Sequence, residues 1–383
     1  MRIVDFDLYT VPPRWLFLRL RTDTGLEGWG EPIVEGREQT TRAAVTELIE
    51  EYLIGKDPLP VERHWQYMYR SAHHRGGPIL MSAISGIDQA LWDLKGKHMN
   101  APVYELLGGP VRDRIAVSQW VSGDKPDDLA DSAKYAVENG FESIELMMNA
   151  GPANTRTRKI LLNAKNRLDS CMDVIPEHVD VGVDIRGRVG LGVAKSLVSE
   201  LSSYNLTFVE EPVLPEHQNA LSEIASVSSN PIATGQRLYT KEEFRILLER
   251  QPVDYVQPAL AHAGGITEVM KIADLASSYG VRVLPKSPVG PISFAACLQL
   301  SLANQNVVQQ EQHDELHSKP DSEFFSYVAN DDYFQWEDGF LSVTDAPGLG
   351  ITIDTETVQT MAGESIHWRS PTWHHDDGSV ADW

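Results

Sequence analysis

From Ile115 onward, short apolar runs recur about every 25 residues, and this rhythm more than any other feature limits what the chain can fold into. The runs are "IAVSQWVSG", "ESIELMM", "VDVGVDIRG", "LTFVEEP", "PIATGQ", "DYVQPAL", "VRVLPKS" and "VVQQEQ". Most are β-branched and continuously apolar, the pattern of strands buried on both faces. Helical text stands between them. "TKEEFRILLER" opens with a capping box, Thr240 with Glu243. "GGITEVMKIADLASSYG" has apolar residues at helical spacing and stops at Gly280. Asp184, Glu210, Gln236, Ala259, Lys286 and Glu311 stand at the ends of successive runs, 26, 26, 23, 27 and 25 residues apart. That spacing suits βα units, and eight of them predict a (β/α)8-type barrel whose strand ends open on one face. The alternative is a doubly wound open sheet, but no glycine-rich phosphate fingerprint follows any run.

The first stretch reads differently. "MRIVDFDLYTV", "WLFLRLRTD" and "LEGWGEPI" predict an antiparallel meander, with "DTG" as a turn. Helices follow in "TTRAAVTELIEEYLIG", "PVERHWQYMYRS" and "LMSAISGIDQALWDLKGKHM". The expected organisation is an α+β domain over 1–112, the barrel over 113–326, and a tail over 327–383 that packs back on the first domain.

Composition excludes several functions. A net charge of −22 argues against nucleic acid or an anionic membrane as partner. No apolar run is long enough to span a bilayer, and the N-terminus alternates like a strand without a signal-peptide core. Cys171 and Cys297 form neither a disulfide framework nor a metal motif. They read as packing residues in a reducing cytoplasm. Arginine outnumbers lysine 21 to 12, and an acidic, lysine-poor surface suits a high-salt, halophilic cytoplasm.

Several stretches together resemble the enolase superfamily, in its mandelate racemase/muconate lactonizing group and closest to the galactonate dehydratase-like acid-sugar dehydratases. They are "PPRWLFLRLRTDTGLEGWGEPIVEGR", "RGGPILMSAISGIDQALWDLKGK", "VDIRGRV", "FVEEPV", "HAGGITE", "LPKSPVGPISFAACLQL", "APGLGITID" and "SPTWHHDDGSVADW". The resemblance covers nearly the whole chain. It implies a modified TIM barrel, (β/α)7β, with an N-terminal α+β capping domain completed by the C-terminal segment, and commonly a homo-oligomer. It also implies chemistry. Three strand-end carboxylates hold Mg²⁺, the ion stabilises an enediolate, and histidines act as base and acid while water leaves.

The ring of this chain departs from that pattern. Asp184 and Glu210 match the first two metal ligands, while the third position holds the neutral Gln236. Arg186 stands where the dehydratases carry a histidine acid, Lys286 where they carry the second histidine, and Ala259 where its orienting aspartate belongs. Glu145 and Met147 replace a lysine and an asparagine, and Glu311 is kept. The catalytic positions are therefore Lys286, Arg186, Glu311 and Glu145, mostly substituted. Counting Asp184 and Glu210 against Arg186 and Lys286 gives a neutral mouth without an ion. The expectation is weak or absent Mg²⁺ and loss of ordinary dehydration, leaving a site that takes a small carboxylate or sugar acid through Arg186, Lys286 and Glu311, with Arg14 and Glu35 from the capping loops. One alternative is an active lyase with Lys286 as base. Another is a non-catalytic oligomeric regulatory or assembly protein. His262 reads as structural, and His73–His74 as surface residues or a ligand contact.

Overall fold

The computed structural model describes residues 1–148, 157–250, 252–287, 289–312, 323–330, 333–343, 345–362, 368–375 and 377–381. The chain begins with the antiparallel sheet β1 (Ile3–Val11), β2 (Trp15–Thr22) and β3 (Glu27–Gly30), in that order. Helices α1 (Glu38–Leu48), α2 (Val61–Arg70) and α3 (Pro78–Met99) follow. α3 starts with proline at its first turn and ends on Asn100 at φ 52°, a left-handed cap that asparagine adopts more readily than most residues. Leu18, Leu20, Trp65, Ile84, Ile87 and Leu91 fill the core between this sheet and its helices. A short helix, α4 (Val103–Leu106), leads out of the unit.

All eight apolar runs hold strands. β4 (Ile115–Val121), β5 (Ser143–Met147), β6 (Asp180–Asp184), β7 (Phe208–Glu210), β8 (Ile232–Thr234), β9 (Tyr255–Val256) and β10 (Arg282–Val283) pair in parallel in sequence order. β11 (Gln310–Gln312) returns beside β4, with Gln310 opposite Val117, and a parallel bridge from Val283 to Val307 closes the ring. The helices between them are α5 (Pro126–Glu138), α6 (Thr157–Met172), α7 (Leu191–Leu201), α8 (Leu221–Ala225), α9 (Lys241–Glu249), α10 (Gly265–Ser278) and α11 (Pro291–Ala303). This is a (β/α)7β barrel under an α+β cap. The capping box at α9 forms as the sequence predicts: Glu243 N–H donates to Thr240 Oγ1 at 3.3 Å, and Thr240 N–H donates to Glu243 Oε2 at 2.9 Å. α11 is buried along its whole length, which accounts for its unbroken apolar text. No described helix is long and apolar enough to cross a membrane.

Capping unit and barrel are joined by buried carboxylates placed at helix starts. Glu31, just past β3, accepts from Gly290 N–H at 2.6 Å and Ser293 N–H at 3.0 Å, satisfying the first turn of α11. Asp88 on α3 accepts from Thr267 N–H at 3.0 Å in the first turn of α10. Gly265, which opens α10 at φ 76°, lies so close that a Cβ there would stand 2.5 Å from Asp88 Oδ2. Only glycine satisfies both the backbone angle and the contact.

The tail divides its contacts. A hairpin, β12 (Gln335–Glu337) with β13 (Phe340–Ser342), adds antiparallel to β4 at the barrel. Gly348 and Leu349 then bond the capping unit, Gly348 O accepting from Val103 N–H and Leu349 N–H donating to Asp93 Oδ1. Two short helices, α12 (Glu323–Ser326) and α13 (Thr355–Met361), flank these segments.

Candidate active site

At the C-terminal ends of the barrel strands the structure gathers three acids around one ammonium, with a fourth acid close by. Lys286 Nζ lies 2.8 Å and 3.0 Å from the two oxygens of Glu145, 2.6 Å from Glu210 Oε2 and 3.0 Å from Glu311 Oε1. Lys286 is 2% exposed and Glu210 fully buried, so these charges meet with little water between them. Gln257 Nε2 also donates to Glu210 Oε2, at 2.6 Å, whereas Glu210 Oε1 is buried without a partner. The fourth acid, Asp184, is held by Arg186: the backbone N–H reaches Oδ1 at 2.7 Å and Nε reaches Oδ2 at 3.2 Å.

Burial alone would lower the Lys286 pKa. Glu145, Glu210 and Glu311 together outweigh it and hold the ammonium well above its ordinary value. The acids respond in the opposite direction. Burial raises Glu145, with Lys286 opposing, and raises Glu210 further because Glu145 adds its own charge. Burial pushes Glu311 to about 7 against the pull of Lys286.

Two backbone distortions shape the rim. Arg186 has φ 60° and Glu211 φ 39°, both in the left-handed region that side chains other than glycine seldom adopt. The turn is pinned by Gly187 N–H donating to Glu211 O at 2.6 Å and by Arg237 Nη2 donating to Arg186 O at 3.1 Å. Arg237 also makes a two-pronged contact with Glu211, Nε to Oε1 at 3.1 Å and Nη2 to Oε2 at 2.8 Å. The Arg186 guanidinium stands 5.1 Å from the ring of Trp120 on β4.

A cavity of about 360 Å³ opens above this floor. Its walls bring together Arg14, Glu35, Asp184, Arg186, Gln236, Lys286 and Glu311. Arg14 lies 3.7 Å from Glu35 and stacks over Trp368 at 4.9 Å. His262 also faces the cavity. It pairs with Ser82 Oγ at 2.9 Å, and burial lowers its pKa, so it is a neutral, bonded side chain. Ala259 is buried and bridges to Lys286 through the backbone. His73 and His74 are exposed and are not among the residues lining the cavity.

The charge count read from the sequence is incomplete. Glu145 and Glu311 reach the same ammonium as Glu210, so the floor has four acids against Lys286 and Arg186. Sequence spacing alone could not show that β5 turns Glu145 inward. Glu211, Arg237, Gln257 and Trp120 were also missed; the doubled acid in "VEEP" and the arginine in "TGQR" were the available signals. Glu145, Asp184 and Glu210 each offer an oxygen within 4.8 Å of the others, a group that could hold a metal ion. Gln236, the third ligand position implied by resemblance, lines the cavity wall.

Comparison with known proteins agrees with this architecture. A family described as "Enolase C-terminal domain-like" matches residues 128–358, and "Mandelate racemase / muconate lactonizing enzyme, N-terminal domain" matches 11–108. An enolase from Agrobacterium radiobacter, provisionally a galactarate dehydratase, with Na and L-malate bound, is 27% identical, with TM-score 0.89 and 100% of both chains covered. A mandelate racemase/muconate lactonizing enzyme from Jannaschia sp. CCS1 is 28% identical, with TM-score 0.87, covering 97% of this chain and 100% of its own. One from Sulfitobacter sp. is 26% identical, with TM-score 0.88 and both chains fully covered. With both of its parts matched and the carboxylates at the strand ends of a capped barrel, the chain belongs to the mandelate racemase/muconate lactonizing enzyme group of the enolase superfamily.

Proposed function

We propose that this chain binds a small carboxylate, of the malate or sugar-acid type, in an altered active site where the Lys286 ammonium supplies the positive charge that a divalent ion supplies to the family's carboxylates. The contact of Lys286 Nζ with Glu145, Glu210 and Glu311, all at 3.0 Å or less, carries this reading. Magnesium fits the observed arrangement poorly. Arg186 engages both oxygens of Asp184, and Lys286 engages Glu145 and Glu210. An ion on the same oxygens would face the ammonium across a few Å, where a dication and a unit charge about 4 Å apart repel by roughly 8 kcal/mol at an effective dielectric of 20. Arg186, at the cavity wall beside Trp120, is the group suited to grip the ligand carboxylate. The site lacks the ordinary acid and base. Arginine holds its proton too firmly to act as an acid, and three carboxylates keep Lys286 protonated and so unfit as a base at neutral pH. Each missing acid or base removes roughly 10²–10⁴-fold in rate, so magnesium-dependent dehydration should be lost.

A second reading rests on the charge count. Four acids against two cations leave room for a dication, and the unpartnered Glu210 Oε1 is a free donor for it. The metal site would then be shifted by one strand, to Glu145, Asp184 and Glu210. Magnesium titration of the purified chain, with thermal shifts for L-malate and galactarate in the presence and absence of Mg²⁺, separates the two. The first reading expects stabilisation by an acid independent of magnesium, no 2-keto acid formed and no α-proton exchange in deuterated water. Stoichiometric magnesium binding that Glu145→Gln weakens would replace it with the second.

A further inference from the structure

We propose that a second cavity, beside the Arg186–Gly187 turn, binds a small oxyanion, a carboxylate or phosphate group, between Arg188 and the start of α7. The cavity measures about 400 Å³ and is lined by the 187–191 loop, the 214–220 segment after β7, and His375 and Ala381 of the tail. It lies apart from the carboxylate cluster, and its polar groups are unused by the chemistry discussed above.

Three observations converge on an anion. Arg188 is only partly exposed, and among the described residues it makes neither a hydrogen bond nor an ion pair. Its guanidinium rests 5.2 Å from the ring of Trp373, and its Nε is buried with no partner. The terminal guanidinium nitrogens are not among the buried atoms and have no acceptor either, and these are the donors open to a ligand in the cavity. His375 stands on the same cavity wall. The third observation is the helix start. Gly190 is the N-cap of the 11-residue α7 and offers no side chain to the free N–H groups of the first turn. Cβ atoms built at Gly190 and Gly192 would meet nothing within 4 Å, so the approach to those groups is open. A helix N-terminus and an unpaired arginine form a set of donors for oxygen, with the His375 imidazole beside them. Burial depresses the Arg188 pKa, and Arg186 and Arg237 add to the effect while Asp184 opposes it, so an anion here would relieve an excess of local positive charge. Glu216, on the same wall, is exposed and screened by water.

The test is calorimetric titration of the full chain at fixed ionic strength, with inorganic phosphate in one arm and malonate in the other. It is run in the Arg186→Met background, which removes the carboxylate grip of the first cavity, with Arg188 intact and with Arg188→Met added. Saturable binding of at least one anion is expected. Arg188→Met should weaken it by about 10- to 100-fold, the loss of a hydrogen bond to a charged group. The arm that responds tells phosphate from carboxylate. Absence of saturable binding in both arms would overturn the proposal, as would binding that Arg188→Met spares. Should Arg188→Met fail to fold, crystals of the natural chain grown in selenate decide the matter. Anomalous density beside the terminal nitrogens of Arg188 supports the site, and its absence there removes it.

Discussion

Lys286 is the residue whose loss the structure can least absorb. Lys286→Met would leave Glu145, Glu210 and Glu311 facing one another without a counter-charge. Breaking a buried ion pair on one side costs about 3–5 kcal/mol, and urea denaturation at pH 7 should show a loss of that size. The double variant Glu145→Gln/Lys286→Met should recover part of it, because one of the stranded charges goes with the lysine. Equal losses in single and double variants would mean that the cluster is not coupled as its distances indicate. This residue also marks the limit of what the sequence disclosed. Its place at a strand end followed from spacing, and its exchange for a histidine followed from resemblance. Its partners did not, because contact between β5 at Glu145, β7 at Glu210 and β11 at Glu311 depends on the closed curvature of the sheet, which no local pattern encodes.

Elements were far more legible. Continuous β-branched runs marked all eight parallel strands, and the Thr240–Glu243 pair fixed the start of α9. The ties between elements were hidden. Nothing in "GWGEPI" announces that Glu31 will satisfy the N-terminus of α11, some 260 residues away. Glu31→Ala would leave two buried N–H groups unpaired and should cost about 2–6 kcal/mol in denaturation experiments. Burial, against the pull of the Ser293 and Gly290 N–H groups, moves the Glu31 pKa from 4.5 to about 8. Between those values the folded chain holds a proton that the unfolded chain has released. The Glu31 contribution is therefore fully present below 4.5, and stability falls as pH rises through the window to about 8. Glu31→Gln should flatten that part of the stability–pH profile. An unchanged slope would place the titration elsewhere.

For the molecule as a whole, self-repulsion at a net charge of −22 sets the response to salt. Raising KCl from about 0.1 M to 1 M shortens the screening length from roughly 10 Å to 3 Å. The unfolding midpoint should climb over that range, and a flat or falling midpoint would show that ordinary packing, not charge, limits stability. The seat of α10 on α3 bears on how such a protein could breathe. With no gap for even a methyl group between Gly265 and Asp88, α10 and α3 are keyed together, and sliding one along the other would press backbone into a buried carboxyl group. Passage of a guest molecule is then left to the thin ribbons at the doorway, around Arg14 and Glu35, and stapling those two strips together should slow entry and escape alike while leaving the resting architecture untouched.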